Sequence, residues 1–203
     1  MQVIFMHKSN SKNELKGFFN LPNIFTLMNL AAGFIAIINA EDEIIISFFL
    51  ILLAAVLDAL DGLIARITNS VSEIGRELDS LADIVSFGVA PAMILVYCAG
   101  ISCLSTLISI IYVSMGALRL ARFNVFGKKE FFEGLPIPAA AVFLTSSVLF
   151  FRNLCATAYL FLGILTSFLM VSNIIYPNFK VREGRQSLTT VLIIATVTML
   201  VYF

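Results

Sequence analysis

Seven apolar runs dominate the chain, at about 22–40, 44–66, 79–99, 102–122, 136–151, 155–176 and 188–203. A helix needs roughly 20 apolar residues to cross a bilayer's hydrocarbon core, and most of the runs approach that length. The runs at 136–151 and 188–203 are short, so the pattern predicts about seven spans. Only brief polar stretches separate them, and no Pro/Gly/Ser-rich linker divides the chain. The fold class expected is all-α: a polytopic transmembrane helical bundle over residues 21–203, preceded by a juxtamembrane segment over 1–20. In that leader Lys8, Lys12 and Lys16 recur at four-residue steps and share one helical face, with Leu15, Phe18 and Phe19 free to dip into the membrane. The leader is therefore expected to be an interfacial amphipathic helix. It is not expected to be a cleavable signal peptide.

Composition and charge sharpen this picture. Hydrophobic residues make up 60% of the chain and charged ones 13%, where a soluble domain averages about half and a quarter. Mean hydropathy is +0.98. Net charge is zero, which gives no reason to expect a nucleic-acid partner. Cys98, Cys103 and Cys155 lie in or beside apolar runs and read as small hydrophobes. Twelve of the thirteen basic residues fall on one side of the predicted bundle: Lys8, Lys12, Lys16, Arg66, Arg76, Arg119, Arg122, Lys128, Lys129, Lys180, Arg182 and Arg185. The other side holds Glu41, Asp42, Glu43 and Arg152. The positive-inside rule makes the basic side cytoplasmic, in a multi-pass protein of the cell membrane with its C-terminus outside.

Four of the five aspartates, Asp58, Asp61, Asp79 and Asp83, sit within 26 residues, at the basic ends of the second and third runs. Carboxylates in membrane helices are costly and usually functional. Asp58, Asp61, Gly62 and Ala65 fall at i, i+3, i+4 and i+7, so one face carries two carboxylates beside two small residues. Ser72, Gly75, Asp79, Asp83 and Ser86 form a second stripe. If the stripes face each other, four carboxylates converge and cannot all ionise uncompensated. Either some are protonated or divalent cations sit between them. Oxygen ligands without His or Cys suit two Mg²⁺ or Mn²⁺ ions, with Arg66 placed to pair with a phosphate oxygen. Structural pairing of the aspartates with Arg66, Arg76, Arg119 and Arg122 is the plainer alternative. A metal-ion transporter is another, but it calls for carboxylates near the midplane, and these lie near one surface.

Asp58-x-x-Asp61-Gly62-x-x-Ala65-Arg66, eight residues, then Gly75-x-x-x-Asp79-x-x-x-Asp83 resembles the signature of the CDP-alcohol phosphotransferase family at every fixed position. The resemblance implies a six-helix core, commonly homodimeric, acting on a CDP-alcohol with Mg²⁺ or Mn²⁺. It implies Asp58, Asp61, Asp79 and Asp83 as metal ligands and Asp83 as general base. It also implies Asp61, Gly62, Arg66 and Ser72 as contacts of the CDP-lipid, with Ala65 and Gly75 giving it space. Leu21-Pro22-Asn23-Ile24-Phe25-Thr26 resembles the family's first-span entry, which adds Asn23 and Thr26. The stretches Asn20–Asn29, Asp79–Pro91, Gly116–Asn124 and Gly134–Ala141 look like the phosphatidylserine synthase branch. That branch implies transfer from CDP-diacylglycerol, or an ether-lipid analogue, to L-serine among the membrane lipids.

Arg119 and Arg122 lie three residues apart near the basic end of the fourth run. Either suits a two-pronged contact with the serine carboxylate; alternatively they pair with aspartates or lipid phosphates. Acceptors that carry a phosphate, such as glycerol 3-phosphate or an inositol phosphate, would call for a denser cationic pocket. Pro136 and Pro138 are expected to mark the entry and a kink of the fifth span. Gly33, Gly116 and Gly163 are expected to permit close helix contacts.

Overall fold

The computed structural model describes residues 20–70, 72–126, 134–151 and 155–172. They form six helices: α1 (Leu21–Ile38), α2 (Ile44–Ile67), α3 (Glu73–Ala99), α4 (Cys103–Phe126), α5 (Ile137–Phe150) and α6 (Ala156–Val171). Helices α1 to α4 are long and apolar enough to cross a membrane, and α5 and α6 are shorter apolar helices. The all-α bundle expected from the hydropathy pattern is thus observed. The amphipathic leader and the seventh run lie outside the described residues.

Small residues concentrate inside this bundle, and many large apolar ones face outward. Large apolar residues such as Phe34, Phe49, Leu53, Phe161 and Phe168 are exposed, while Ala32, Ala36, Ala54, Ala55 and Ala140 are buried. Between apolar helices in lipid, association rests on close packing, which small residues allow. At Gly33 on α1 the approach is tightest: a methyl built there would lie 2.6 Å from the Cα of Ser86 on α3. Gly116 and Gly163 play the same part, against Ile137 and against Leu95. Hydroxyls add cross-links, Ser47 Oγ donating to Ala36 O at 2.8 Å and Ser109 Oγ to Ala92 O at 3.1 Å. Helix α5 occupies the centre. It is apolar on every side, and its residues from Ile137 to Val142 are all buried.

Two details depart from the expectations. Helix α3 begins at Glu73, six residues before the apolar run, because Ser72 caps it and the polar turn 73–78 continues into the span. Pro138 falls in the first turn of α5, where no backbone donor is needed, so it starts the helix and does not kink it. The irregularity lies in α3 instead, where Ile84–Val89 is wound as a π-helix. Pro91 cannot donate to the carbonyl of Phe87 four residues earlier. The hydroxyl of Tyr112 on α4 donates to that carbonyl at 3.2 Å. In a membrane interior an unserved carbonyl has no water to turn to.

These contacts predict an order of damage. Gly33→Ala drives a methyl into backbone and should cost roughly 1–3 kcal/mol. Tyr112→Phe leaves one buried carbonyl unmet and should cost about 1–2 kcal/mol. Thermal unfolding in detergent should show both melting below the unaltered protein. A Gly33→Ala protein that melts no lower would contradict the close α1–α3 approach.

Candidate active site

The aspartates are positioned by two local devices. On α2, helical spacing alone stacks Asp58 and Asp61 a turn apart, followed on the same side by Gly62 and Ala65, both partly exposed. On α3, Ser72 Oγ accepts from the Gly75 backbone N–H at 3.0 Å, which fixes the helix start. Gly75, Asp79 and Asp83 then follow at four-residue steps and form one stripe.

The stripes face each other. One carboxylate oxygen from each of Asp58, Asp61 and Asp79 lies within 4.8 Å of the others. Asp83 lies one turn further along and feels the charge of all three. Asp61 and Asp83 are buried, and Asp58 and Asp79 are partly so.

Helix α1 supplies a third wall. Asn23, Thr26 and Asn29 are buried at three-residue steps, each meeting the stripes at a different depth. A methyl on Gly75 would come within 3.0 Å of both Asn23 Oδ1 and Ser72 Oγ, so glycine holds this corner open. Thr26 Oγ1 donates to Asp61 Oδ2 at 2.8 Å. Asn29 Nδ2 donates to Asp83 Oδ1 at 3.4 Å, and Ser86 Oγ donates to the Asn29 carbonyl at 2.9 Å. Asn29 is a site residue that the sequence reading passed over. The signal was present as polar residues recurring every third position in an otherwise apolar helix.

The arginines divide. Arg66 is exposed and turns back on its own helix, Nε donating to Gly62 O at 2.8 Å. Arg76 pairs with Glu77 at 3.7 Å on the surface. Arg119 on α4 acts through its charge on Asp83 and Asp58 and lies 5.9 Å from the Phe123 ring centre. Arg122 follows it by one turn, partly exposed. Asn124 Nδ2 donates to Ser80 Oγ at 2.9 Å and ties this end of α4 to α3. Structural pairing of the aspartates with arginines therefore finds no support in Arg66 or Arg76.

The cluster suits a divalent cation. Asp79 Oδ1 is buried without a hydrogen-bond partner. The donors are all carboxylate oxygens, the ligands that hard cations prefer. Oxygens of like charge held this close need a positive counterpart to be stable.

Residues 19–175, which contain all six helices, match the model of the CDP-alcohol phosphatidyltransferase family. Curated relatives agree. A CDP-diacylglycerol–serine O-phosphatidyltransferase of Helicobacter pylori is 42% identical over 171 residues, covering 78% of this chain and 72% of the relative. The archaetidylserine synthase of Methanothermobacter thermautotrophicus is 39% identical over 173 residues, covering 81% and 72%. The CDP-diacylglycerol–serine O-phosphatidyltransferase of Bacillus subtilis is 39% identical over 171 residues, covering 79% and 91%. A match across the whole described bundle, with relatives this similar over most of their own length, makes the chain a member of the CDP-alcohol phosphatidyltransferase family.

Proposed function

We propose that this chain transfers the phosphatidyl group of a CDP-linked lipid, CDP-diacylglycerol or its ether-lipid counterpart, to the hydroxyl of L-serine, giving CMP and a serine phospholipid. The observation that carries the reading is the meeting of the aspartate stripes of α2 and α3 at one end of a lipid-exposed bundle. A substrate that is hydrocarbon at one end and a diphosphate at the other needs such a boundary. Serine as acceptor is supported by the names of the relatives.

In this mechanism Asp58, Asp61, Asp79 and Asp83 hold two divalent cations, Mg²⁺ or Mn²⁺. Bound there, the cations supply neutralisation of the diphosphate and of the charge that develops on CMP. Thr26 fixes the rotamer of Asp61 by donating to Oδ2. Gly62, Ala65 and Gly75 leave room for the CDP moiety, which Asn23, Thr26, Arg66 and Ser72 border. The serine oxygen attacks the lipid-side phosphorus, the bond from that phosphorus to the CMP oxygen breaks, and Asp83 takes the hydroxyl proton. Arg119 or Arg122 meets the serine carboxylate. Arg119 is supported by its Nε, which is buried without a hydrogen-bond partner.

The site faces the cytoplasm in this reading. Support comes from the charge asymmetry, with Arg66, Arg119 and Arg122 at the aspartate end and Glu41, Asp42 and Glu43 at the other. Residues 21–203 are read as one transferase domain in the cell membrane, working as a homodimer.

Membranes containing the protein, given CDP-lipid, Mn²⁺ and each candidate alcohol in turn, should release CMP with serine and not with glycerol 3-phosphate or an inositol phosphate. The reverse preference would refute the acceptor. A chelator should abolish release and added Mg²⁺ or Mn²⁺ restore it. Asp83→Asn should slow turnover by about 10²- to 10⁴-fold while CDP-lipid still binds; unchanged turnover would remove Asp83 from the base role. Arg122→Lys should raise the serine KM with CDP-lipid affinity little changed, whereas equal losses for both substrates would make that arginine structural.

A further inference from the structure

Asn29 is 0% exposed, and its side-chain oxygen has no hydrogen-bond partner. The rest of the residue is held in place. Its Nδ2 is committed to Asp83 Oδ1, and its backbone carbonyl accepts from Ser86 Oγ. That hydrogen bond ties α1 to α3 where Gly33 lets the two backbones come close. An acceptor atom fixed beside the carboxylate proposed as the base, and left unpaired, is costly unless a ligand serves it.

We infer that Asn29 Oδ1 receives the ammonium of the acceptor alcohol and so selects a 2-amino alcohol. The inference rests on the proposed reaction, since it needs a hydroxyl delivered to Asp83. In a 2-amino alcohol the nitrogen is two carbons from the hydroxyl. A molecule whose hydroxyl touches Asp83 therefore carries its ammonium into the neighbourhood of a side chain already hydrogen-bonded to Asp83. The unpaired atom is a pure acceptor, which suits N⁺–H and offers nothing to a carboxylate. The two ends of serine are thereby sorted, its ammonium toward α1 and its carboxylate toward Arg119 on α4. An alcohol without the amine leaves Oδ1 unpaired and is disfavoured for that reason.

The test compares L-serine with 3-hydroxypropionate, which keeps the hydroxyl and carboxylate and lacks the amine. The full chain is used in lipid nanodiscs with CDP-diacylglycerol and Mn²⁺. The unaltered enzyme should prefer serine strongly in kcat/KM. Asn29→Leu should shrink that preference by roughly 10- to 100-fold, through a serine loss in excess of the fall in kcat that both alcohols share once the donor to Asp83 is gone. Asn29→Asp keeps an acceptor and loses the donor to Asp83, so its kcat should fall while the preference survives. A preference that persists in Asn29→Leu, or a parallel loss for both alcohols, would overturn the inference. Should Asn29→Leu fail to fold, loss of the preference in a folded Asn29→Asp protein would overturn it equally. Release of CMP from neither alcohol by the unaltered enzyme would instead refute the reaction, and the inference with it.

Discussion

Close-set carboxylates at the end of an apolar bundle repel one another, and the surrounding structure must answer that repulsion. Asp58, Asp61 and Asp79 offer oxygens within 4.8 Å of each other, and Asp83 adds its charge from one turn away. The protein supplies only partial relief. Thr26 and Asn29 each give one hydrogen bond. What remains is an anionic cradle that a cation-bound diphosphate would complete.

Holding such a cradle together requires helices that cannot drift apart. The close passage of Gly33 by Ser86 fixes α1 against α3, and Ser47 secures α2 to α1. Alanines and glycines inside let backbones approach, while phenylalanines and leucines outside meet lipid. Rigid helices, not loops, thus carry the site residues of α1, α2 and α3, which favours fixed geometry over adaptability. The central α5 gives α2 and α3 a common surface to pack on.

Much of this was legible in the residues. The apolar runs located the helices, because bilayer length leaves a plain trace in sequence. The three- and four-residue steps of Asp58, Asp61, Asp79 and Asp83 put them on facing stripes, since side-chain direction follows from helical geometry. Other features left weaker traces. Glu73–Leu78 is polar and falls outside the apolar run, yet Ser72 caps it into α3. Asn29 looked like one polar residue in a long apolar run, and its role emerges only where α3 brings Asp83 alongside. Pro138 promised a bend that its place in the first turn removes. The roles of Arg119 and Arg122 depend on a substrate, and spacing alone does not rank them.

The π-wound stretch between Asp83 and Ala90 has a consequence for how this chain tolerates change in length. Such a turn holds more residues than the α-helical turns on either side. Deleting one residue there would let the helix wind regularly with its flanks nearly in place, whereas deleting one from an α-wound turn would swing everything above it by about 100° relative to everything below. The acidic half of α3 would then look away from α2 while the apolar half kept its seat against α5. The surplus residue held here thus gives α3 one place where its length can change without turning Asp79 and Asp83 away from α2.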